Sequence, residues 1–89
     1  MPVAALRKKL DRKIPAPDLS PRQLEMLRHM LHGLLSGYLP SYRELADDMD
    51  IDSPNGVVCH LKAMAKKGYL EIHHNQGYQL TDKALDLVL

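Results

Sequence analysis

The sequence contains no phenylalanine and no tryptophan, so its apolar core must be built from aliphatic residues, methionine and tyrosine. Its single cysteine, Cys59, excludes an internal disulfide and is typical of a protein from a reducing compartment. No apolar run is long enough to cross a bilayer, and the segment before Arg7 does not fit a signal peptide. We therefore expect one soluble domain of 89 residues, located in the cytoplasm.

Catalytic and metal-binding patterns are also missing from the sequence. It has no glycine-rich phosphate loop, no nucleophile–base pair and no paired carboxylates in an expected cleft. The five histidines are not spaced to supply the four ligands of a structural zinc site. We therefore expect no enzyme activity, metal, cofactor, small-molecule substrate or membrane partner, and we interpret Cys59 as an inert small residue rather than a redox switch.

Charge is spread unevenly along a chain whose net charge is only +1. Residues 1–17 hold five cations and one acid, residues 18–52 carry a net charge of −4, and residues 53–77 carry +2. Two basic segments separated by an acidic one favour an anionic partner. Prolines predict an extended joint at the end of the first segment. We therefore divide the chain into a basic arm with its linker, residues 1–17, and a folded domain, residues 18–89. The arm fits either a DNA-contacting arm or a solubilising tail.

Two helix starts carry capping signals. Ser20 and Gln23 fit a capping box, with Pro21 at the first helical position and leucines following at helical spacing. Ser41 and Glu44 fit a second capping box ahead of a shorter helix. These patterns predict two consecutive helices.

Glycines and a third cap complete the helical part of the prediction. Gly37 can end the first helix, and residues 50–52 form a tight turn after the second. The third helix then begins with Ser53 as its cap and Pro54 at its first position, and it stops at Gly68.

A hairpin is predicted after the third helix. Residues 69–73 alternate like a strand, residues 75–77 are turn material, and residues 78–80 can return as a second strand. Thr81 and Asp82 can cap a short last helix. The apolar residues of that helix are Leu85, Val88 and Leu89. The expected fold is mainly α with a small β-hairpin: a winged helix-turn-helix with a three-helix core, a two-stranded wing and a short C-terminal helix.

A helical wheel gives the third helix two different sides. The inward stripe consists of Val57, Leu61, Met64, Ala65 and Gly68. The outward side consists of Asn55, Gly56, Cys59, Lys62, Ala63 and Lys66, with Val58 at the margin. The core candidates of the whole chain are Leu24, Leu27, Leu31, Leu45, Val57, Leu61, Met64 and Leu80.

The outward side of the third helix is slim at its start and basic toward its end. Small residues let a helix approach the major groove closely, and Asn55 can make a bidentate pair with adenine. Ser53 and the free N–H groups of the helix start can hold a phosphate, and lysines can neutralise others. Ordinary capping and dipole effects explain the same residues without DNA, so a protein-interaction module remains the alternative.

Four stretches match a known family: SPRQLE at 20–25, LPSYRELA at 39–46, SPN at 53–55, and HLKAMAKKG at 60–68 followed by Glu71 and Ile72. On these motifs the chain resembles the N-terminal DNA-binding domain of LexA-type repressors, a winged helix-turn-helix. The resemblance implies a regulator of transcription, a repressor, that binds specific sequences of double-stranded DNA. Its third helix would be the recognition helix, with the base-reading positions Ser53, Asn55, Gly56, Val58 and Cys59.

The chain departs from the family pattern at four of its positions. The family often has two glutamates where this chain has Val58 and Cys59, an alanine in place of Gly56, and a glycine in place of Asp50. A valine or a thiol can contact a thymine methyl group but cannot accept a hydrogen bond from cytosine. We therefore expect an operator different from the usual one.

Further contacts are expected between the protein and the DNA backbone. The candidates are Arg22, Ser41, Arg43, Lys62, Lys66 and Lys67, together with the wing residues His73, His74, Asn75 and Gln76. LexA-type repressors continue into a self-cleaving domain that also dimerises, and we expect this chain to lack that domain. Because a lone half-site reader binds weakly, we expect a homodimer, a protein partner, or a DNA contact that is only auxiliary.

Overall fold

The computed structural model describes residue 14, residues 16–73 and residues 77–87 of the chain. These residues form four helices and one antiparallel hairpin, which confirms the mainly α fold with a small wing. In chain order the elements are α1 (Pro21–Leu35), α2 (Tyr42–Asp48), α3 (Pro54–Lys66), β1 (Leu70–Ile72), β2 (Tyr78–Leu80) and α4 (Asp82–Leu85). None of these described helices combines the length and apolar character needed to cross a membrane.

Both predicted capping boxes are formed. At the start of α1, the Gln23 N–H donates to Ser20 Oγ and the Ser20 N–H donates to Gln23 Oε1, each at 3.2 Å. At the start of α2, Ser41 and Glu44 exchange the equivalent bonds at 3.1 Å. Each box satisfies N–H groups that have no partner within the helix.

The cap of α3 is different from the prediction. Ser53 occupies the N-cap position and Pro54 begins the helix, but the Ser53 side chain makes no capping hydrogen bond. Its carbonyl oxygen instead accepts from the Gly56 N–H at 3.1 Å, and its side chain is left exposed. The first turn of α3 therefore begins with a serine side chain that its own helix does not use.

Two glycines end α1 and α3 as predicted. Gly37 has φ 114° and Gly68 has φ 88°, in the left-handed region that only glycine adopts without strain. Between α2 and α3, Asp50 has φ 55°, at the place where the family pattern has glycine. The Ile51 N–H then donates to the Ala46 carbonyl oxygen at 2.8 Å, which closes the turn.

The core uses methionine and leucine in place of the missing large aromatic residues. Met26, Met30, Met49 and Met64 are each at most 2% exposed, and flexible thioethers fill irregular space between helices. The predicted core residues are buried, except that Leu24 is half-buried at the edge of the core. The buried residues from that prediction are Leu27, Leu31, Leu45, Val57, Leu61, Met64 and Leu80.

The packed core extends into the segment that we assigned to the arm and linker. Ile14 and Ala16 are each 3% exposed and belong to the same cluster as the helices. Burial begins on the N-terminal side of the boundary placed between residues 17 and 18, because these apolar side chains leave water by packing on the core. The rest of the predicted arm, residues 1–13, lies outside the described residues.

The wing pairs β1 with β2 in the register Leu70↔Leu80, Glu71↔Gln79 and Ile72↔Tyr78. Leu70 and Leu80 are buried, so this face of the hairpin is anchored in the core. The last helix is shorter than expected. Its buried residue is Ala84, whereas Leu85 is only half-buried and residues 88–89 lie outside the described part of the chain.

A polar cluster joins the segment before α1 to the end of α3 and to α4. The Tyr69 hydroxyl donates to Asp18 Oδ1 at 2.6 Å, and Lys67 Nζ donates to the Asp18 carbonyl oxygen and to Gln23 Oε1. Lys83 Nζ donates to the Lys67 carbonyl oxygen at 2.7 Å and lies 4.3 Å from the centre of the Tyr69 ring. We call these five residues the Asp18 cluster.

Two groups of the Asp18 cluster have shifted pKa values. The hydrogen bond from Tyr69 lowers the pKa of Asp18, and the charges of Lys83 and Lys67 act in the same direction. Burial, followed by the hydrogen bond to Asp18, raises the pKa of Tyr69 to about 12. The folded state therefore favours the carboxylate of Asp18 and the protonated phenol of Tyr69.

Gly33 lies inside α1 where the chain returns close to the helix. A Cβ at this position would lie 2.8 Å from Pro40 Cδ and 2.9 Å from the Tyr38 carbonyl oxygen. We therefore expect Gly33→Ala to lower the free energy of unfolding by about 1–3 kcal/mol. In an open helix the same change would stabilise by roughly 0.5–1 kcal/mol.

Urea denaturation followed by circular dichroism measures the effect of Gly33→Ala. The control is Gly77→Ala, because no described atom lies within 4 Å of the added Cβ. We expect the control to stay within about 0.5 kcal/mol of the native protein. A Gly33→Ala protein more stable than the native one would contradict the close approach.

The Asp18 cluster predicts a loss of stability at both ends of the pH range. Asp18 has a lowered pKa when folded, so it stabilises the fold above its ordinary pKa of about 3.9, and this is lost as the pH falls. Tyr69 has a raised pKa when folded, so its contribution is present below its ordinary value of about 10. That contribution is lost as the pH rises toward about 12.

Denaturation of Tyr69→Phe across this pH range tests the coupling. Phenylalanine neither ionises nor donates to Asp18. The decrease in the free energy of unfolding at acid pH and at alkaline pH should therefore be smaller than in the native protein. Part of the alkaline loss should remain, because burial also raises the pKa of Tyr78. Tyr38→Phe changes an exposed ring and is the control. Identical pH profiles for native protein and Tyr69→Phe would show that the pair is not linked to folding.

Candidate nucleic-acid interface

Helix α3 buries one side and exposes the other, but of the predicted inward stripe Ala65 is only half-buried and Gly68 is exposed. Val57, Leu61 and Met64 have no exposed surface. The exposed polar side consists of Asn55, Cys59, Lys62 and Lys66, which we call the α3 face. The helix therefore presents an amide near its start and two ammonium groups further along.

Gly56 does not lie on the exposed side. A Cβ at this position would lie 2.7 Å from Ile51 Cγ2, so the position faces the turn between α2 and α3. The predicted outward orientation of Gly56 is therefore wrong. The residue is small because the start of α3 packs directly against the Ile51 side chain.

The starts of α2 and α3 form the two walls of an open cleft with a volume of about 410 Å³. Its lining residues are Ser41, Tyr42, Arg43, Pro54, Asn55 and Val58. The structure thus brings two predicted backbone-contact residues, Ser41 and Arg43, to the same place as the predicted base-reading residues Asn55 and Val58. Cys59 is exposed on α3 but does not line the cleft.

Two tyrosines connect this cleft to the wing. The rings of Tyr42 and Tyr78 are stacked with their centres 5.9 Å apart. The Tyr78 hydroxyl donates to the Pro40 carbonyl oxygen at 2.7 Å, and the Tyr42 hydroxyl lies 3.5 Å from the Gly77 carbonyl oxygen. This pair could not be predicted from sequence, because two tyrosines so far apart in the chain give no local signal.

The cations of the predicted interface fall into two groups. Arg43, Lys62 and Lys66 are exposed, and each lacks an ion pair with any residue that the structure describes. Their charges are therefore available to an anion in solution. All three lie on the same side of the domain as Asn55, since Arg43 lines the cleft and both lysines lie on the α3 face.

Arg22 and Lys67 instead hold parts of the fold together. Arg22 donates to the carbonyl oxygen of Met49, the C-cap of α2, and Arg22 Nη1 lies 3.5 Å from Glu25 Oε2. Lys67 Nζ is bound within the Asp18 cluster. The hydrogen-bonding capacity of both side chains is therefore partly used within the domain.

Among the predicted wing contacts, His73 is exposed at the end of β1. Its backbone N–H donates to the Gly77 carbonyl oxygen at 2.8 Å. His74, Asn75 and Gln76 lie outside the described residues. The structure therefore places one of the four wing candidates.

A short helix, a tight turn and a second helix with a polar, cationic face, followed by a hairpin, define a winged helix-turn-helix domain of the DNA-binding class. The model of the family "LexA DNA binding domain" matches residues 16–77, more than half of the chain. The chain belongs to this family, which confirms the resemblance seen in its motifs.

Individual relatives agree with the family match. The LexA repressor of Anaeromyxobacter dehalogenans (strain 2CP-1 / ATCC BAA-258) is 49% identical over 53 residues, which cover 58% of this chain and 23% of that protein. The LexA repressor of Myxococcus xanthus (strain DK1622) is 41% identical over 64 residues, 71% of this chain and 29% of that protein. LexA repressor 1 of Geobacter sulfurreducens is 39% identical over 77 residues, 79% of this chain and 38% of that protein. The chain therefore spans less than half the length of each.

The neighbouring residues Lys66 and Lys67 should respond differently to substitution. Lys67→Ala removes two hydrogen bonds from an ammonium group and should lower the free energy of unfolding by about 1 kcal/mol. Lys66→Ala is the matched control and should stay within about 0.5 kcal/mol of the native value. Both are measured by urea denaturation near neutral pH. Equal stability of the two variants would show that the contacts of Lys67 contribute nothing.

Proposed function

We propose that this domain binds specific sites on double-stranded DNA and represses transcription there. The observation that carries the proposal is the placement of the α3 face and the cleft on one exposed side of a helix-turn-helix. This side combines a hydrogen-bonding amide, an apolar side chain and cations that form no ion pair with the described residues. These are the groups that read base edges and bind phosphates. The relatives named above are called LexA repressors, which supports the regulatory part of the proposal.

Base reading is assigned to the first two turns of α3. Asn55 is exposed at the start of the helix and has the amide needed for a bidentate pair with adenine. Val58 and Cys59 follow within one turn and supply apolar or weakly polar surface. Ser53 has a hydroxyl free of the usual capping bond, so it can donate to DNA. Gly56 contributes by letting α3 pack closely on the turn.

Phosphate binding is assigned to the cations on the same side of the domain. Arg43 and Ser41 lie at the start of α2, and Lys62 and Lys66 lie along the exposed side of α3. These positions flank the residues assigned to base reading, as expected for contacts that fix a helix in the groove. Arg22 and Lys67 are not included, since their side chains bind groups within the domain.

Affinity for an isolated half-site would be modest for one domain of this size. We propose that two copies, or one copy with a protein partner, occupy a complete operator. Symmetric spacing of two half-sites in the bound DNA would indicate two copies, because the symmetry of the site reflects the symmetry of the protein.

Selection from a random DNA duplex library at near-physiological salt is the experiment that tests this function. We expect an enriched motif, and we expect Asn55→Ala to lose about 1–3 kcal/mol of affinity for it and to relax the preference at one base pair. Lys66→Ala should weaken binding to every sequence and reduce the slope of log affinity against log salt by about 0.9. Each affinity is measured by fluorescence anisotropy of a labelled duplex.

The control for both variants is Tyr38→Phe, an exposed position outside the α3 face and the cleft. It should retain the native affinity and the native motif. A motif that is unchanged by Asn55→Ala would remove the base-reading role of Asn55. Weak, salt-sensitive binding without any enriched motif would contradict sequence-specific DNA recognition by this domain.

A further inference from the structure

The cleft between α2 and α3 has two walls of different chemistry. On the α3 side, Val58 is half-buried and presents an apolar side chain three residues after Asn55. On the α2 side, Ser41 offers a hydroxyl and Arg43 an exposed guanidinium that forms no ion pair with the described residues. An occupant with an apolar edge and a negative charge beside it would therefore complement Val58 and Arg43.

A thymine nucleotide of duplex DNA has these two features. Thymine is the base whose edge in the major groove carries a methyl group, and its phosphate lies on the adjacent backbone. Valine offers no hydrogen bond, so Val58 cannot pair with the polar edges of guanine, cytosine or adenine. The thymine methyl group is an apolar group on a base edge, so its contact with Val58 buries apolar surface on both partners.

The position of Val58 relative to Asn55 strengthens this assignment. Residues three apart on a helix are neighbours on its surface, so the two side chains reach adjacent positions in a groove. The cleft volume of about 410 Å³ is within the range of small-ligand sites and is sufficient for one nucleotide. Cys59 lies outside the cleft and is not a second candidate for this contact.

We propose that the cleft seats a thymine nucleotide of the operator, with the thymine methyl group against Val58 and the flanking phosphate on Arg43 and Ser41. Val58 is then the residue that selects thymine at one position of the operator. This inference rests on the proposed function, since it needs a specific DNA site. It adds the identity of one base and the residue that recognises it.

Replacement of thymine by uracil tests the contact without altering the protein. Uracil lacks only the methyl group and keeps the same pairing edge. Each thymine of the selected duplex is replaced in turn, and affinity is measured by fluorescence anisotropy. We expect one position at which uracil weakens binding about fourfold, the effect of losing one buried methyl group. The remaining positions should show smaller changes.

The same uracil duplexes are then measured with Val58→Ala and with Cys59→Ala. Val58→Ala should bind the thymine duplex more weakly than the native protein does. Replacing thymine by uracil at the sensitive position should then lower its affinity no further, because the contact with the methyl group is already absent. Cys59→Ala is the comparison variant from the same helix; whatever its effect on overall affinity, it should retain the fourfold ratio between thymine and uracil duplexes, because Cys59 does not line the cleft. Circular dichroism of both variants establishes that the fold is intact. Arg43→Gln should lower the affinity for the thymine duplex and for the uracil duplex by the same factor, because a phosphate contact does not distinguish the two bases.

Contrary results separate this inference from the proposed function. The absence of any enriched motif would overturn the proposed function and this inference with it. An enriched motif in which uracil is tolerated at every thymine, or in which no thymine occurs, would overturn the thymine contact alone. If uracil still weakens binding to Val58→Ala at the sensitive position, the cleft makes a different contact. The same conclusion follows if Arg43→Gln removes a preference of the protein for guanine.

Discussion

The close approach of α3 to the turn before it is the constraint on which the rest of the interface depends. Gly56 lies against Ile51, and a single added carbon would come within 2.7 Å of the Ile51 side chain. The same turn is closed by the bond from Ile51 to Ala46 and by the left-handed conformation of Asp50. Because these contacts set where α3 begins, they also place its first residues beside the start of α2.

The far end of α3 is fixed by a different kind of contact. There, Lys67 and Tyr69 bind Asp18, a residue of the segment that precedes α1. Packing holds the start of the helix and polar bonds hold its end, while Val57 and Leu61 bury its inner side between them. The exposed side chains are therefore carried on a helix that is restrained along its length. Such restraint reduces the conformational entropy lost when a partner binds.

Local features of this fold could be predicted from sequence, and contacts between distant residues could not. The boxes at Ser20 and Ser41 depend on residues three apart, so their pattern is visible in the chain itself. The bond of Lys67 with Asp18 joins residues 49 positions apart, and a lysine near a helix end has the same sequence pattern with or without it. Gly56 was misplaced for a related reason, because a helical wheel does not include the turn that packs against the helix. The family match supports the fold and the class of protein, whereas the individual contacts with DNA stay predictions.

Some polar side chains of this domain are exposed and others are bound within the fold, which has a consequence for how such a domain can evolve. Asn55 and Cys59 are exposed, and Lys62 beside them has no ion pair among the described residues, so substitutions there should have little effect on folding. Gly56 and Lys67 are bound to the fold and allow less variation. Under the proposed function, mutations at such positions would change the operator at a nearly constant stability. Cys59, one of the two positions at which the family often has glutamate, is exposed in this way.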